Sequence, residues 1–293
     1  MPAGTVQTGR SFELPSTESI FGNSAGMREV REKIARAMRD DLPALIEGES
    51  GTGKELIGRF LHKHSVRGDG PFVKFNCAAV PARLLEGEMF GFEKSAAVNM
   101  QETAVAGSIG LAWGGTLFLD EIHDVDLSMQ VKLAEILSSG LYRRVDGREV
   151  LAVNARFVCT TRSDLEAKVR NRTFFEGLLG CFAHHRLHLL PLRERREDIP
   201  ELCEYLLEKF AREFGRPVPH LSSNVVDAFQ RWNWPGNVRE LENWIARIVV
   251  FGADDVIGLE FSRQLALGEQ PVSRYARSAH VNFGRVRRVR RRR

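Results

Sequence analysis

The sequence predicts an α/β domain with a parallel sheet flanked by helices, followed by a small all-helical domain. Up to about residue 188, short apolar runs alternate with segments of helical periodicity, which is typical of parallel strands joined by crossover helices. After "LPLRERREDIP" the predicted segments are helices only, such as "ELCEYLLEKFAREFG". The chain has 293 residues, enough for two such units.

The elements follow in chain order. Residues 1–18 are rich in Gly, Ser, Thr and Pro and predict a flexible lead-in. "MREVREKIARAMRD" (27–40) has the apolar stripe of a helix. Strands are predicted for "PALIE" (43–47), "FVKFNC" (72–77), "GTLFLDE" (115–121) and "ARFVCTT" (155–161). We therefore divide the chain into a lead-in (1–18), an α/β domain (19–188), a helical domain (189–265) and a basic tail (266–293) that we expect to be disordered.

The net charge of +4 is unevenly distributed. Residues 271–293 hold nine arginines and no acid, so removing these nine charges from +4 leaves the other 270 residues at −5. An arginine run can neutralise phosphates without reading a base sequence, which predicts salt-sensitive nucleic-acid binding. The same run is equally compatible with a truncated or frameshifted end that was never selected for binding. The sequence leaves both interpretations open.

Cysteine usage and hydropathy indicate the compartment. Four scattered cysteines form no CxxC pair, which is typical of reduced thiols in a cytoplasm. No apolar run approaches the roughly 18 residues of a membrane span, and no signal peptide opens the chain. We therefore expect a cytoplasmic protein with no membrane-spanning segment.

A phosphate-binding loop is predicted between the strand at 43–47 and the next helix. The motif "GESGTGKE" consists of Gly48, Glu49, Ser50, Gly51, Thr52, Gly53, Lys54 and Glu55. Glycines let backbone N–H groups turn toward phosphate oxygens, the helix N-terminus adds positive potential, and Lys54 neutralises the outer phosphates. Glu55 stands where the general motif has a magnesium-binding Ser or Thr, so a metal ion would depend more on other groups.

Asp120 and Glu121 are the candidates for those other groups. They end a hydrophobic strand, which places Asp120 at the carboxyl edge of the sheet beside the phosphate loop, where it can hold Mg²⁺. Glu121 can orient an attacking water. An isolated Asp-Glu pair would only indicate a solvated strand end, but the preceding phosphate loop favours a catalytic pair.

Several long segments in the right order carry a resemblance to a known family. They are "GESGTGKE", "FVKFNCAAVPARLLEGEMFGFEK", "GGTLFLDEI", "PLRERREDI" and "WPGNVRELEN". Residues from about 20 to 265 resemble the AAA+ ATPase domain of bacterial enhancer-binding proteins, the activators of sigma-54 RNA polymerase. The resemblance implies a P-loop AAA+ domain with a helical lid, ATP and Mg²⁺ as cofactors, and a ring of like subunits that remodels a closed promoter complex.

The resemblance also implies roles for three residues. Asn76 matches the asparagine that holds the catalytic glutamate until the γ-phosphate arrives, and Thr161 lies in the first sensor segment. Arg239 in "GNVRE" matches the lid arginine that reaches the nucleotide. A guanidinium fork suits phosphate oxygens, and the Trp-Pro-Gly turn before it favours this role over that of a solvated helix charge.

Two departures from the family pattern affect partner contact and hydrolysis. Where the family has Gly-Ala-Phe-Thr-Gly-Ala in the sigma-54 contact loop, this chain has Ser95, Ala96, Ala97, Val98, Asn99 and Met100. Loss of the glycines restricts the loop backbone, and loss of Phe and Thr removes the contact groups. The two arginines that act across the subunit interface are replaced by Phe175 and Cys181. The candidates to substitute for them are Arg170, Arg172 or Arg186, each of which is displaced in sequence. A third difference is Arg162, where the family has Asn.

The histidines do not predict a metal site. His185 and His188 have i, i+3 spacing, but the sequence shows no carboxylate or cysteine partner near them, so packed or solvated histidines are expected. His62 and His64 are expected to be structural.

Three functional hypotheses therefore stand. The first is an active remodelling ATPase that opens promoters through sigma-54. The second is a non-hydrolysing ATP-binding subunit that modulates a related activator through mixed rings, and the third is an inactive relic. The phosphate loop, Asp120, Glu121 and Asn76 favour nucleotide binding, whereas the altered loop and Phe175 and Cys181 disfavour the first hypothesis.

Overall fold

The computed structural model describes residues 5–7, 22–93 and 105–251. The strands in these ranges are β1 (Thr5–Gln7), β2 (Ala44–Glu47), β3 (Phe72–Asn76), β4 (Gly91–Phe92), β5 (Val105–Ala106), β6 (Thr116–Asp120), β7 (Leu141–Tyr142), β8 (Leu151–Ala152), β9 (Arg156–Thr161) and β10 (Arg186–His188). The α-helices are α1 (Ala25–Ala37), α2 (Lys54–Lys63), α3 (Ala82–Phe90), α4 (Ser108–Leu111), α5 (Leu127–Ser139), α6 (Leu165–Arg170), α7 (Glu176–Gly180), α8 (Ile199–Phe214), α9 (Ser223–Arg231) and α10 (Asn237–Phe251).

A six-stranded sheet in the order β1-β3-β6-β9-β2-β10 forms the centre of the α/β part. Strands β3, β6, β9, β2 and β10 run parallel, and β1 is antiparallel to β3. All six residues of β9 are buried. Parallel strands covered by helices on both faces have apolar side chains on both faces, which explains the continuous apolar runs in the sequence. The predicted α/β fold with a parallel sheet is confirmed.

The two faces of the sheet bury separate sets of side chains. Leu117 and Leu119 point into a core formed with α3 and α5, whereas Phe118 packs against α1 and α2 on the other face. This alternation follows from the period of two in a strand. Because these strands are parallel, the carboxyl ends of β2, β3, β6 and β9 lie at the same edge of the sheet. The ends of these strands and the segments that follow them supply the polar groups of the candidate site.

Strand β1 differs from the expectation of a flexible lead-in. Thr5–Gln7 pairs antiparallel with β3, with Thr5 opposite Lys74 and Gln7 opposite Phe72. An edge strand is held by backbone hydrogen bonds, which composition does not report. The other residues of the 1–18 segment lie outside the described residues.

The helices α8, α9 and α10 pack around a third core whose largest fully buried side chain is Trp234. The turn before α10 places Trp234 and Asn237 in the left-handed region, at φ 48° and 53°. The indole of Trp234 donates to the carbonyl of Phe229 at 2.7 Å, and the Gly236 amide donates to the Glu240 carboxylate at 2.8 Å. These bonds fix the direction in which α10 begins, and with it the position of Arg239.

Two small antiparallel pairs, β4–β5 and β7–β8, project from the α/β part. β4 and β5 flank residues 94–104, so the expected contact loop at 95–100 lies outside the described residues, as does the basic tail at 266–293. Within the described ranges, no helix is both long enough and apolar enough to cross a bilayer.

Candidate functional site

The loop at 48–55 connects β2 to α2 at the carboxyl edge of the sheet. Gly53 has φ 104° immediately before α2 begins, a conformation that L side chains rarely adopt. At Gly51 a Cβ atom would lie 2.3 Å from the carbonyl oxygen of Gly236, so only glycine allows the lid to approach this closely. The loop therefore exposes backbone at the N-terminus of α2, where an anion is favoured.

Lys54 is the buried cation of this loop. Its Nζ donates to the carbonyl of Gly48 at 2.7 Å and of Glu49 at 3.1 Å, and lies 3.6 Å from Glu121 Oε1. Burial lowers the pKa of Lys54, and the neighbouring carboxylates of Glu121 and Asp120 oppose that effect. The ammonium group thus lies between the phosphate loop and the end of β6, and its role in phosphate binding stays a prediction.

The carboxylates that end β6 are oriented by a residue that sequence analysis missed. The hydroxyl of Thr160 donates to Asp120 Oδ1 at 2.7 Å and accepts from the Glu121 amide at 3.1 Å. Glu121 has φ 58°, a strained conformation of the kind that recurs at functional sites. Thr160 precedes the predicted sensor Thr161, and only the register of β6 against β9 shows its role.

The side chains of Asn76 and Thr161 make local contacts. Asn76 Oδ1 accepts from the Ala78 amide at 3.1 Å and caps the 3-10 turn at Cys77–Ala79. Thr161 Oγ1 shares a hydrogen bond with His123 Nδ1 at 3.1 Å. Among the described residues, the Glu121 carboxylate contacts Lys54, His123 and the Arg162 amide, and makes no hydrogen bond with Asn76. The glutamate-holding role of Asn76 therefore remains a prediction.

Glu55 is engaged by two cations. Its Oε1 accepts from Arg59 Nε and Nη2 at 3.0 and 2.7 Å, and its Oε2 accepts from Lys74 Nζ at 2.7 Å. Lys74 Nζ also lies 3.4 Å from Asp120 Oδ2. Burial raises the pKa of Glu55, but the hydrogen bonds from Lys74 and Arg59 outweigh it, so the net shift is downward. Sequence analysis did not single out Lys74, because its two carboxylate partners come from two other elements, α2 and β6.

The helical lid contacts the phosphate loop directly. Arg239 Nη1 donates to Ser50 Oγ at 3.1 Å, and its amide donates to the Gly51 carbonyl at 3.3 Å. Glu49 accepts two hydrogen bonds from Arg193, at 2.6 and 2.9 Å, and one from Asn237 Nδ2 at 3.1 Å. Arg193 lies in the segment "PLRERREDI" and Asn237 in "GNVRE". These motifs carry the family resemblance, but they do not show that the two side chains contact Glu49.

Asn237 and Arg195 complete this contact. Asn237 accepts from the Leu192 amide at 2.8 Å and donates to the Ser50 carbonyl at 3.0 Å. Arg195 is almost fully buried, and its Nη2 donates to the Thr52 carbonyl at 3.3 Å. Burial lowers the pKa of Arg195, which Asp198 opposes. Two buried polar side chains therefore join the lid to the loop.

A cavity of about 480 Å³ lies between the loop and the lid. Its lining includes the charged side chains of Lys54, Asp120, Glu121, Lys74, Arg195 and Arg239 and the apolar or aromatic side chains of Met27, Ile57, Leu202, Leu206 and Tyr205. A volume of several hundred cubic ångströms, lined by both charged and apolar side chains, is typical of a small-molecule site. The charged side chains suit a polyphosphate, and the apolar side chains suit a planar base.

Phe175 and Cys181, which stand where the family has its interface arginines, both lie in the described part of the chain. Phe175 is 36% exposed, and the partly buried Cys181 thiol donates to the Gly177 carbonyl at 3.3 Å. Arg186 is committed to Glu47 and Glu166 in a salt-bridge pair that raises its pKa, which disfavours it as a substitute. Arg170 and Arg172 are exposed.

The histidines make structural contacts. His185 Nε2 lies 2.8 Å from the Asp40 carboxylate, a partner that the sequence did not reveal because 145 positions separate the two residues. The His62 ring shares a hydrogen bond with Thr116 Oγ1 at 2.9 Å. In the part of the chain that the structure describes, no group of three or more metal-ligating side chains occurs.

A parallel sheet, a phosphate loop at its carboxyl edge and a helical lid against that loop define a P-loop domain of the AAA+ class. The sequence model of the Sigma-54 interaction domain matches residues 20–192, and that of an AAA+ ATPase lid domain matches residues 193–274. The chain belongs to the Sigma-54 interaction domain family, which confirms the resemblance found in the sequence.

Relatives and solved structures agree with this assignment. The DNA-binding transcriptional regulator NtrC of Azospirillum brasilense is 42% identical over 241 residues, covering 82% of this chain and 50% of the relative. The Nif-specific regulatory protein of Klebsiella pneumoniae is 44% identical over 251 residues, covering 85% and 46%. NtrX from Brucella abortus in complex with ATP superimposes with a TM-score of 0.73 at 31% identity, covering 80% of this chain and 51% of NtrX. The chain thus spans about half the length of the curated relatives it matches.

Proposed function

We propose that this chain is the ATP-binding module of a cytoplasmic transcription regulator of the sigma-54 activator type. The observation that carries the proposal is the position of Lys54, whose Nζ bonds to the Gly48 and Glu49 carbonyls and lies 3.6 Å from Glu121. Arg239 approaches the same loop from the lid. The complex of the related NtrX with ATP supports the nature of the ligand.

Each residue has a defined part in this proposal. Backbone amides of 48–53 and Lys54 bind the phosphates, Arg239 contacts them from the lid, and the apolar side of the cavity near Tyr205 accepts the base. Glu121 orients the attacking water. As the family resemblance implies, Asn76 holds Glu121 until the γ-phosphate arrives, and Thr161 belongs to the first sensor segment.

Magnesium is the metal that the donor set supports. Asp120 lines the cavity, and its Oδ1 accepts a hydrogen bond from the Thr160 hydroxyl. A single carboxylate, with waters and substrate phosphates as the remaining ligands, suits Mg²⁺. When bound, the ion neutralises charge on the phosphates. Glu55 accepts hydrogen bonds from Arg59 and Lys74 and so holds these two cations beside the site.

Ring assembly with itself or with related subunits is the proposed context. The family resemblance supports such rings and implies sigma-54 polymerase as their target, although this chain has Ala97 and Val98 where the family has the contact residues Phe and Thr. Phe175 and Cys181 supply no cation to a neighbouring subunit, and arginines in that role are worth about 10³–10⁵ in rate in related systems. We therefore expect weak turnover by the chain alone. This favours the hypothesis of a modulating subunit in mixed rings.

Calorimetric titration with ATP in the presence of Mg²⁺ tests binding, and steady-state phosphate release tests turnover. Binding with little turnover alone, and altered turnover when a full-length relative is added, is the expected result. Absence of ATP binding would overturn the proposal and support the inactive relic. Rapid turnover by the chain alone would instead support an autonomous remodelling ATPase.

A further inference from the structure

Lys74 lines the cavity beside Asp120, the proposed metal ligand. It is the third residue of β3, opposite Phe118 of β6, and its side chain extends toward the carboxyl edge of the sheet. Its Nζ donates to Glu55 Oε2 at 2.7 Å and lies 3.4 Å from Asp120 Oδ2. One ammonium group thus joins the two carboxylates that flank the position of a divalent ion.

The carboxylate atoms available to a metal ion are limited by other bonds. Asp120 Oδ1 accepts the Thr160 hydroxyl, whereas Oδ2 is the Asp120 oxygen that lies 3.4 Å from Lys74 Nζ. Glu55 Oε1 is occupied by Arg59, whose guanidinium is itself held over the Phe72 ring at 4.6 Å. A divalent ion and the Lys74 ammonium therefore need the same oxygen of Asp120.

We propose that Lys74 is a resident counter-ion that competes with the divalent metal for Asp120 and so sets the metal concentration that the nucleotide complex requires. This inference rests on the proposed function. With the metal absent, Lys74 balances Asp120 and adds positive potential for the phosphates. With the metal bound, Lys74 remains on Glu55, which Arg59 keeps in place.

Opposite charge effects follow from this arrangement. Removing the ammonium leaves Asp120 without its nearby counter-ion and strengthens its attraction for a dication. The same change removes a positive charge from the cavity and weakens metal-free binding of a polyanion. A purely structural lysine would not produce opposite shifts in the two affinities.

Binding of Mn²⁺ in the presence of saturating ADP tests the proposal, with the free hexaaqua ion followed by electron paramagnetic resonance. Lys74→Met is expected to bind Mn²⁺ about three- to tenfold more tightly than wild type, since the pair is partly exposed and screened. In EDTA, the same variant is expected to bind fluorescent ADP more weakly. Glu55→Gln, which releases Lys74 toward Asp120, is expected to weaken Mn²⁺ binding.

Lys132→Met is the matched control. The Lys132 Nζ atom lies 2.6 Å from Glu86 Oε1, and Lys132 does not line this cavity. It should leave both affinities unchanged. Lys74→Gln, which keeps a hydrogen-bond donor, provides a second variant if Lys74→Met unfolds, and it should shift Mn²⁺ affinity in the same direction. Unchanged or weaker Mn²⁺ binding in folded Lys74 variants would overturn the inference. If wild type and Lys132→Met bind ADP but no Mn²⁺, the magnesium assignment and this inference fail together, whereas absence of ADP binding in both contradicts the proposed function itself.

Discussion

Arg239 Nη1 donates a hydrogen bond to Ser50 Oγ at 3.1 Å, so the lid and the phosphate loop are joined by a side chain that can also reach a phosphate. The Arg239 amide contacts the same loop at Gly51. We expect the guanidinium to exchange this neutral hydroxyl for an anionic oxygen when a nucleotide binds. A charge-assisted bond of that kind is stronger than the one it replaces.

Replacing this arginine should weaken nucleotide binding. Arg239→Ala removes one charged donor, and bonds to charged groups contribute about 1.5–3 kcal/mol. We expect ATP affinity to fall roughly ten- to a hundredfold by calorimetry, in line with the conversion of 1.4 kcal/mol per factor of ten. Arg231→Ala, an exposed arginine at the end of α9, is the control and should bind as wild type does. Equal affinities in the two variants would contradict the role of Arg239.

The Glu49 contact predicts a pH-dependent stability of the lid. The hydrogen bond from Arg193 lowers the pKa of Glu49 below 4.5, although burial opposes it. A carboxyl group with a depressed folded-state pKa stabilises the fold above its unfolded pKa, and this stability is lost as pH falls through the lower folded value. Both side chains are about 40% exposed, so the contribution is at most about 1 kcal/mol.

Urea unfolding of wild type and Glu49→Gln measures this contribution. The wild type should be more stable at pH 7 and at pH 5.5, and the difference should vanish only below pH 4.5, where Glu49 itself becomes protonated. Glu194→Gln is the control, since Glu194 lies 3.7 Å from the same arginine. A difference that persists unchanged through the acid range would show that the charge of Glu49 is not its source.

Restoring the interface arginines should raise ATP turnover. Phe175 is 36% exposed and Cys181, which follows α7, is partly buried, so a longer side chain at 175 has direct access to solvent. We expect Phe175→Arg with Cys181→Arg to increase phosphate release per subunit, and the increase to grow with protein concentration because the arginines act across subunits. Trp113→Arg, at a side chain that is 59% exposed, is the control. Turnover that does not depend on protein concentration would argue against action in trans.

The parallel sheet and the phosphate loop could be predicted because each is encoded in a continuous segment. The buried strand that ends at Asp120 and the loop before Lys54 are both legible as local patterns. Thr160 and Lys74 could not be found in this way, because their roles depend on which strands are neighbours and in which register. The contact between His185 and the Asp40 carboxylate could not be predicted either, because the two residues are far apart in the sequence.

The most direct test of the account is the affinity of Lys54→Ala for a fluorescent ATP analogue. Lys54 is buried and is the cation closest to the loop carbonyls, so its removal should reduce binding by at least about a hundredfold. Lys63→Ala, an exposed lysine at the end of the same helix, is the matched control and should bind as wild type does. Loss of binding in Lys54→Ala with retention in Lys63→Ala is the predicted result. Equal binding by both variants and by wild type would contradict the assignment of this loop as the phosphate site.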